Sequence, residues 1–305
     1  DEGWDAIRDA RRRRAEALGV IPPDVAMVGM PTTGNWQALD ADQQRYEAKR
    51  MAVYAGMVEA MDHHIGRLVS YLKSQVQFDN TIFIFASDNG AEASGPADPS
   101  AFINRQQTRS LGYQTDYETL GLKGSYNTIS PSFASAAVSP LAYYKFYAGE
   151  GGMRVPLIVA GESLPQQGVL SDAFTFVTDI TPTILSLAGV QRPDGRYGGR
   201  PVEAMIGRDL SPVLVGNAER VYGADDAVGY ELAGNAALFQ GDYKIVVNRK
   251  PLGDGEWSLF NIKKDPGETR DLAQEEPARV QQMLSAYQRY QRENKVLDMP
   301  AGYGH

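Results

Sequence analysis

The sequence predicts an α/β protein with a mixed, mostly parallel sheet flanked by helices, followed by a small antiparallel sheet with a packed helix. A long amphipathic helix precedes an apolar strand at residues 81–86, which is half of a βαβ unit. A second apolar strand at residues 154–161 leads into another helix. Beyond residue 190, short strand-like segments alternate with turn residues, which is typical of an antiparallel sheet.

The first half of the chain is predicted to consist of helices and one apolar strand. Residues 1–40 begin with a helix that ends near Gly19, and a second helix runs from Asp42 to about Gln77. Apolar residues at spacings of three and four define the second helix: Met51, Tyr54, Val58, Met61, Ile65, Leu68 and Leu72. The strand Thr81–Ala86 is apolar on both faces, as expected inside a parallel sheet.

The second half changes character near residue 190. Before it, Asp179 or Thr181 is expected to cap a helix with Pro182 in its first turn and Gly189 at its end. After a linker-like loop, strands are predicted in "VGYELAG", "AALFQGDYKIVVN" and "WSLFNI". A last helix, Glu276–Glu293, presents four apolar residues for packing: Val280, Met283, Leu284 and Tyr287. We therefore expect two domains, residues 1–195 and 196–305.

Composition excludes several kinds of protein. The formal net charge of −8 argues against a nucleic-acid binder. The absence of cysteine excludes disulfides and thiolate metal sites. No apolar run approaches the ~18 residues expected of a transmembrane helix. The sequence opens inside an amphipathic helix without a leader, so we expect it to continue a longer chain, and its compartment, bacterial cytoplasm or periplasm, stays open.

Two polar residues follow directly after the first apolar strand. Asp88 and Asn89 carry hard oxygen ligands of the kind that Ca²⁺ or Mg²⁺ prefers. In α/β sheets, functional groups gather beyond the carboxyl ends of the strands. Asn89-Gly90 is also the strongest short hairpin signal, so a plain turn is the alternative interpretation.

A lysine precedes a pair of glycines near the second apolar strand. Lys145 lies six residues before Gly151, in "YYKFYAGEGGMRVPLIVAG". Its compact charge can neutralise a sulfate or phosphate oxygen, and adjacent glycines let the backbone approach a ligand closely. An ordinary surface lysine is the alternative.

Together these stretches resemble the C-terminal part of a type I sulfatase, closest to bacterial arylsulfatases, in the alkaline-phosphatase-like superfamily. The stretches that carry the resemblance are "YAGMVEAMDHHIGRLVSYLK", "FDNTIFIFASDNGAE", "SPLAYYKFYAGEGGMRVPLIVAG", "FTFVTDITPTILSLAGV" and "WSLFNIKKDPGETRDLA". They extend from about residue 46 to residue 272. The resemblance implies an incomplete catalytic α/β domain followed by a C-terminal subdomain.

The resemblance implies roles for particular residues. Asp88 and Asn89 are expected to bind the active-site calcium, with Mg²⁺ less favoured, and Lys145 to bind sulfate. Lys123 ranks second for sulfate because its distance from the glycine pair is wrong. The stretch from Asp265 to Leu272 resembles a structural marker of the C-terminal subdomain.

The resemblance also shows what is missing. Family members hydrolyse sulfate esters with a formylglycine made from Cys or Ser in a Cys/Ser-x-Pro-x-Arg motif, and the nearest stretch here, "SGPAD" at Ser94, lacks the arginine. Calcium takes about six to eight oxygens, and Asp88 and Asn89 supply under half of them. The nucleophile and half of the metal site are therefore expected upstream, in the N-terminal half of the same enzyme. We expect this chain alone to bind calcium weakly and to lack turnover.

Some alternatives stay open at this stage. The substrate is expected to be a small-molecule sulfate ester, but a phosphonate monoester hydrolase, a phosphodiesterase or a non-catalytic sulfatase-like remnant would carry the same motifs. Tyr143, Tyr144 and Tyr147 either stack with a substrate ring or form the core of their loop. His63 and His64 are expected on the surface of the long helix.

Overall fold

The computed structural model describes residues 2–93, 108, 110–297 and 299–300. Its contacts divide the chain into two compact units. The first unit comprises Asp1–Leu68, Ala86–Pro156 and Ala227–His305. The second comprises Val69–Phe85 and Leu157–Asp226. The domain boundary expected between residues 195 and 196 divides the chain differently and remains a prediction.

The first unit contains a core of aromatic rings contributed by α1 (Gly3–Ala17) and α3 (Pro131–Val138). Trp4 meets Phe133 edge to face with ring centroids 5.5 Å apart, and Trp36 packs on Trp4 at 4.8 Å. Helix α3 was not among the predicted elements, although its N-terminus has the usual features of a helix start. Ser130 Oγ accepts a hydrogen bond from the Phe133 N–H, and a proline occupies the first turn.

The long helix α2 spans Ala41–Ser74, close to its predicted bounds. Its N-terminal turns are packed, since Arg50 is 1% exposed and donates to the Thr128 carbonyl at 2.6 Å. Its apolar residues further along are exposed: Tyr54, Met57, Val58, Met61, Ile65, Leu68 and Tyr71. We call this set the apolar face of α2. Within the described residues, no helix is both long and apolar enough to cross a membrane.

In the second unit, β1 (Phe83–Ala86) pairs with β2 (Leu157–Ala160) in a two-stranded sheet. Both strands are shorter than predicted, and β1 is only half-buried, although its sequence is apolar on both faces. Where a linker-like loop was expected, β3 (Arg196–Tyr197) and β4 (Arg200–Pro201) form a small antiparallel hairpin.

The second unit also contains the helices α5 (Ile180–Leu187) and α6 (Ser211–Leu214). The single-turn helix α4 (Glu150–Met153) precedes them in the sequence and belongs to the first unit. Pro182 and Gly189 lie in the first turn and just beyond the end of α5, as predicted. Asp179 occupies the N-cap position of α5. The prediction that its side chain would cap the helix is wrong, because the carboxylate accepts other hydrogen bonds. The carboxylate accepts from the Phe176 and Arg208 N–H groups at 2.7 Å and from the Tyr222 hydroxyl at 2.6 Å.

The predicted antiparallel sheet is present in the first unit. It contains β5 (Ala227–Leu232), β6 (Asn235–Gln240), β7 (Tyr243–Val247) and β8 (Ser258–Asn261), each paired with the next. The last helix, α7 (Pro277–Asn294), covers one face. There Leu238, Ile245 and Leu259 pack with Met283 and Tyr287. The opposite face of the sheet is also buried, so the sheet is covered on both faces.

Candidate active site

The two predicted metal ligands lie in a tight turn after β1. Ser87 Oγ donates to the Asn89 carbonyl at 2.9 Å, and the Asn89 side-chain amide donates to Asp88 Oδ1 at 3.0 Å. Neither Asn89 nor Gly90 has a positive φ. A two-residue type I′ hairpin needs positive φ at both central positions, so Asn89-Gly90 is not the centre of such a hairpin, although it does lie in a turn. We call residues 87–92 the Asp-Asn turn.

Glycines bring the Asp-Asn turn against the loop that carries Lys145. The Gly90 N–H donates to the Gly152 carbonyl at 2.8 Å, and a Cβ on Gly90 would overlap the Gly151 carbonyl oxygen. A Cβ on Gly151 would in turn overlap the Tyr143 carbonyl oxygen. The sequence suggested that these glycines accommodate a ligand. Here they accommodate other backbone, which fixes the turn and the loop side by side.

Lys145 lies at the contact between the loop and the turn. Its N–H donates to the Ala91 carbonyl at 3.0 Å, and its Nζ is 2.7 Å from Glu92 Oε2. The hydrogen bond with Glu92 raises the pKa of Lys145, and the charge of Asp88 adds to the effect. The charges of Asp88 and Lys145 are therefore close enough to interact. Lys123 is exposed in a separate turn after Leu120.

Sequence reasoning missed Glu92 as the counter-ion of Lys145. The available signal was its position, four residues after Asp88 in the same glycine-containing stretch. Its ion pair with Lys145 is partly exposed, with side chains 43% and 42% accessible, so solvent weakens the attraction. An anionic group that binds Lys145 would compete with this carboxylate.

Asp88 and Asn89 fit part of a site for a hard cation. The Asp88 carboxylate is exposed, and the adjacent amide of Asn89 adds an oxygen of the type that calcium prefers. Among the described residues, no group of three or more His, Cys, Asp or Glu side chains could hold a metal. The donor chemistry therefore agrees with calcium, while the number of ligands is that of an incomplete site.

The tyrosines of the loop contribute to the core of the first unit. Tyr144 is 4% exposed, and its hydroxyl lies 3.0 Å from Thr32 Oγ1. Tyr147 packs edge to face on Tyr144 and lies 5.4 Å from the ring of Tyr143. Of the two roles considered for these tyrosines, substrate stacking and packing in the loop core, Tyr144 has the second.

A buried ionic cluster holds the far side of the same loop. Lys244 Nζ lies 2.9 Å from Glu150 Oε1 and 2.8 Å from Glu268 Oε1, and the side chains are 0%, 5% and 3% exposed. Glu268 Oε2 also accepts the Glu150 N–H at 2.9 Å. We call these three residues the anchor cluster. Glu268 lies in the stretch predicted to be a structural marker, and nothing in the sequence indicated its contact with the Lys145 loop.

Two members of the anchor cluster, Lys244 and Glu268, have shifted pKa values. Burial alone would lower the pKa of Lys244, but the two carboxylates outweigh it and raise the pKa above its usual 10.5. For Glu268, burial raises the pKa above its usual 4.5, and Lys244 opposes that effect.

These shifts predict a pH dependence of stability. The folded chain retains a proton on Glu268 that the unfolded chain releases, so the free energy of unfolding should fall as pH rises above about 4.5. Urea unfolding across this range measures the slope, and Glu268→Gln should flatten it because the variant has no proton to release there. Equal slopes for the two proteins would contradict the shift.

The chain belongs to the sulfatase family, since the Sulfatase family model matches residues 22–190. An uncharacterized sulfatase of Schizosaccharomyces pombe is 34% identical over 301 residues, which cover 98% of this chain and 54% of that protein. An arylsulfatase of Klebsiella aerogenes is 32% identical over 216 residues, which cover 70% of this chain and 45% of that protein. The chain thus spans about half the length of these curated relatives.

Solved structures confirm the fold. A protein in complex with its substrate D-glucosamine-2-N,6-O-disulfate superimposes with a TM-score of 0.50 at 21% identity, over 79% of this chain and 40% of that one. The predicted sulfatase-like α/β fold, with a small antiparallel sheet, is confirmed.

Proposed function

We propose that the complete natural polypeptide containing this chain is a sulfuric ester hydrolase of the arylsulfatase type. In this proposal Lys145 binds the sulfate group, and Asp88 and Asn89 bind calcium. One observation carries it: two backbone hydrogen bonds, Lys145 N–H to Ala91 and Gly90 N–H to Gly152, hold the cationic loop against the Asp-Asn turn. The similarity to an arylsulfatase supports the same substrate class.

The residues of this chain would bind and orient the ester rather than attack it. Lys145 exchanges its bond to Glu92 for a sulfate oxygen and stabilises the charge that develops there. Calcium, when bound, supplies a further positive charge to the sulfate. The formylglycine nucleophile and the other ligands are expected in the N-terminal half of the enzyme, so this chain alone should lack turnover.

The apolar face of α2 supports a contact with that N-terminal half. Met57 is 51% exposed, and Met61 and Ile65 follow it along the same helix at 43% and 38%. Contiguous exposed apolar patches mark surfaces that another chain segment or partner covers. We therefore place the covering residues in the half of the relatives' length that this chain does not span.

The exposure of this face predicts different effects in two proteins. Met61→Lys should change the free energy of unfolding of this chain alone by less than about 0.5 kcal/mol, because the side chain is exposed and lysine is a good helix former. In the complete polypeptide it should cost about 2 kcal/mol or more, because a charge would be buried. His63→Lys, at an exposed position of the same helix, is the control. Equal effects of Met61→Lys in both proteins would rule out a covering segment.

Hydrolysis tests the role of Lys145. In the complete polypeptide, Lys145→Ala should lower kcat/KM for 4-nitrophenyl sulfate by about 10²–10³, the loss typical of removing one charge-stabilising group. Lys123→Ala removes an exposed lysine from a separate turn and should leave kcat/KM unchanged. Equal activity of the two variants would contradict the assignment. Phosphonate monoesters and phosphodiesters assayed in parallel decide between sulfate and the alternative ester classes, and inactivity on all of them would indicate a non-catalytic remnant.

A further inference from the structure

The backbone around Lys145 adopts conformations that need external support. Tyr143 and Phe146 have φ values of 65° and 86°, in the left-handed region that non-glycine residues seldom occupy. Bulky residues remain in such conformations only where surrounding contacts over-determine them. The loop therefore depends on its neighbours to keep Lys145 in place.

Those neighbours lie on one face of the antiparallel sheet. Side chains alternate between the faces of a strand, and Ile245 faces α7, so Lys244 faces the opposite side. The register pairs Ala236 with Val247. Asn235 is the first residue of β6 and Asn248 directly follows β7, so by the same alternation both belong to the face that carries Lys244. Three polar side chains thus share the buried face away from α7.

Each of these three side chains binds a different group of the Lys145 loop. Asn235 Nδ2 donates to the Phe146 carbonyl at 3.1 Å. Asn248 Oδ1 accepts the Ala148 N–H at 2.8 Å, and Lys244 Nζ donates to Glu150 Oε1 at 2.9 Å. The bond to Phe146 acts on one of the two left-handed residues directly.

The other side of the loop binds the Asp-Asn turn. Lys145 N–H and the Gly152 carbonyl make the two backbone hydrogen bonds to residues 90 and 91. Residues 145–152 therefore lie between the sheet and the turn, with polar bonds on both sides. A displacement on the sheet side would move the Lys145 ammonium relative to Asp88.

We propose that Asn235, Lys244 and Asn248 are positioning residues that fix the Lys145 ammonium for sulfate binding. That the bound group is a sulfate rests on the proposed function. The positioning of Lys145 is a property of the loop itself. It gives the C-terminal sheet a part in the reaction that acts through Lys145.

Chemical labelling of Lys145 tests the positioning without reference to activity. In the complete natural polypeptide, acetic anhydride labelling of Lys145, followed by peptide mass spectrometry, should be severalfold faster in Asn248→Ala, because the Ala148 N–H loses its acceptor and the loop relaxes. Ile245→Val, on the α7 face of β7, the strand that Asn248 directly follows, is the control for a modest loss of stability and should leave the rate unchanged. Asn235→Ala is the second variant should Asn248→Ala fail to fold. Labelling at the wild-type rate in both asparagine variants overturns the proposal.

A double-mutant cycle separates positioning from a general structural role. Asn248→Ala should lower kcat/KM for 4-nitrophenyl sulfate about tenfold when Lys145 is present and should have no further effect in Lys145→Ala. Additive losses would overturn a role that acts through Lys145. Faster labelling combined with full activity of Lys145→Ala would instead retain the positioning and refute the proposed function of Lys145.

Discussion

Lys244→Met should lower the free energy of unfolding of the chain by about 3–5 kcal/mol, as expected when one partner of a buried ion pair is removed. The variant retains most of the side-chain volume, but it leaves the carboxylates of Glu150 and Glu268 buried, 5% and 3% exposed, without their cation. Urea denaturation followed by circular dichroism measures the change. Lys264→Met, at an exposed position beyond β8, should stay within about 0.5 kcal/mol of wild type.

A triple variant shows whether charge is the cause. Lys244→Met combined with Glu150→Gln and Glu268→Gln removes every ionisable side chain of the anchor cluster and should recover part of the stability lost in the single variant, because no uncompensated charge remains buried. If the single and triple variants were equally unstable, lost packing rather than lost charge would account for the effect.

Gly90→Ala should reduce hydrolysis by the complete polypeptide by about 10²-fold, the effect expected of a displacement near 1 Å in a site. The new Cβ would overlap the Gly151 carbonyl oxygen, which is backbone and cannot rotate away. The Asp-Asn turn and the Lys145 loop must then separate, which also lowers the free energy of unfolding by about 1–3 kcal/mol. Steady-state kinetics and urea unfolding measure the two effects.

Gly56→Ala provides the matched control. Gly56 lies inside α2, and no atom comes within 4 Å of the position that a Cβ would take, so the added methyl meets open space. Alanine in a helix interior is favoured over glycine by about 0.5–1 kcal/mol, so this variant should gain stability. Destabilisation by both substitutions, or by neither, would contradict the close contact at Gly90.

Most of the elements could be predicted from the sequence because their signals are local. The spacing of apolar residues in α2, the proline and glycine that bound α5, and the alternation in β5–β8 each depend on a few neighbouring residues. The residue chemistry singled out Asp88, Asn89 and Lys145, the family resemblance added their expected roles, and the structure brings together the turn and the loop that carry them. Their roles as ligands remain predictions.

The contacts that support the site were beyond the reach of sequence reasoning because they join distant residues. Glu268 follows Glu150 by 118 residues, and neither position shows a pattern that selects the other. The buried Lys244 was equally hidden, since lysine in a short strand is normally a solvent-facing residue. Asp179 shows the converse case. The sequence predicted a helix-capping side chain, but its carboxylate instead accepts hydrogen bonds from residues distant in the sequence.

The distance along the chain between Glu150 and Glu268 has a consequence for biosynthesis. A ribosome that has translated Lys145 has yet to make the sheet and the glutamate that hold its loop, so the nascent chain carries the Asp-Asn turn and the lysine before either can be held in position. Domains form as their residues emerge. A polypeptide that ends before residue 268 would therefore contain Asp88, Asn89 and Lys145 but would lack one of the carboxylates that bind Lys244 behind the Lys145 loop.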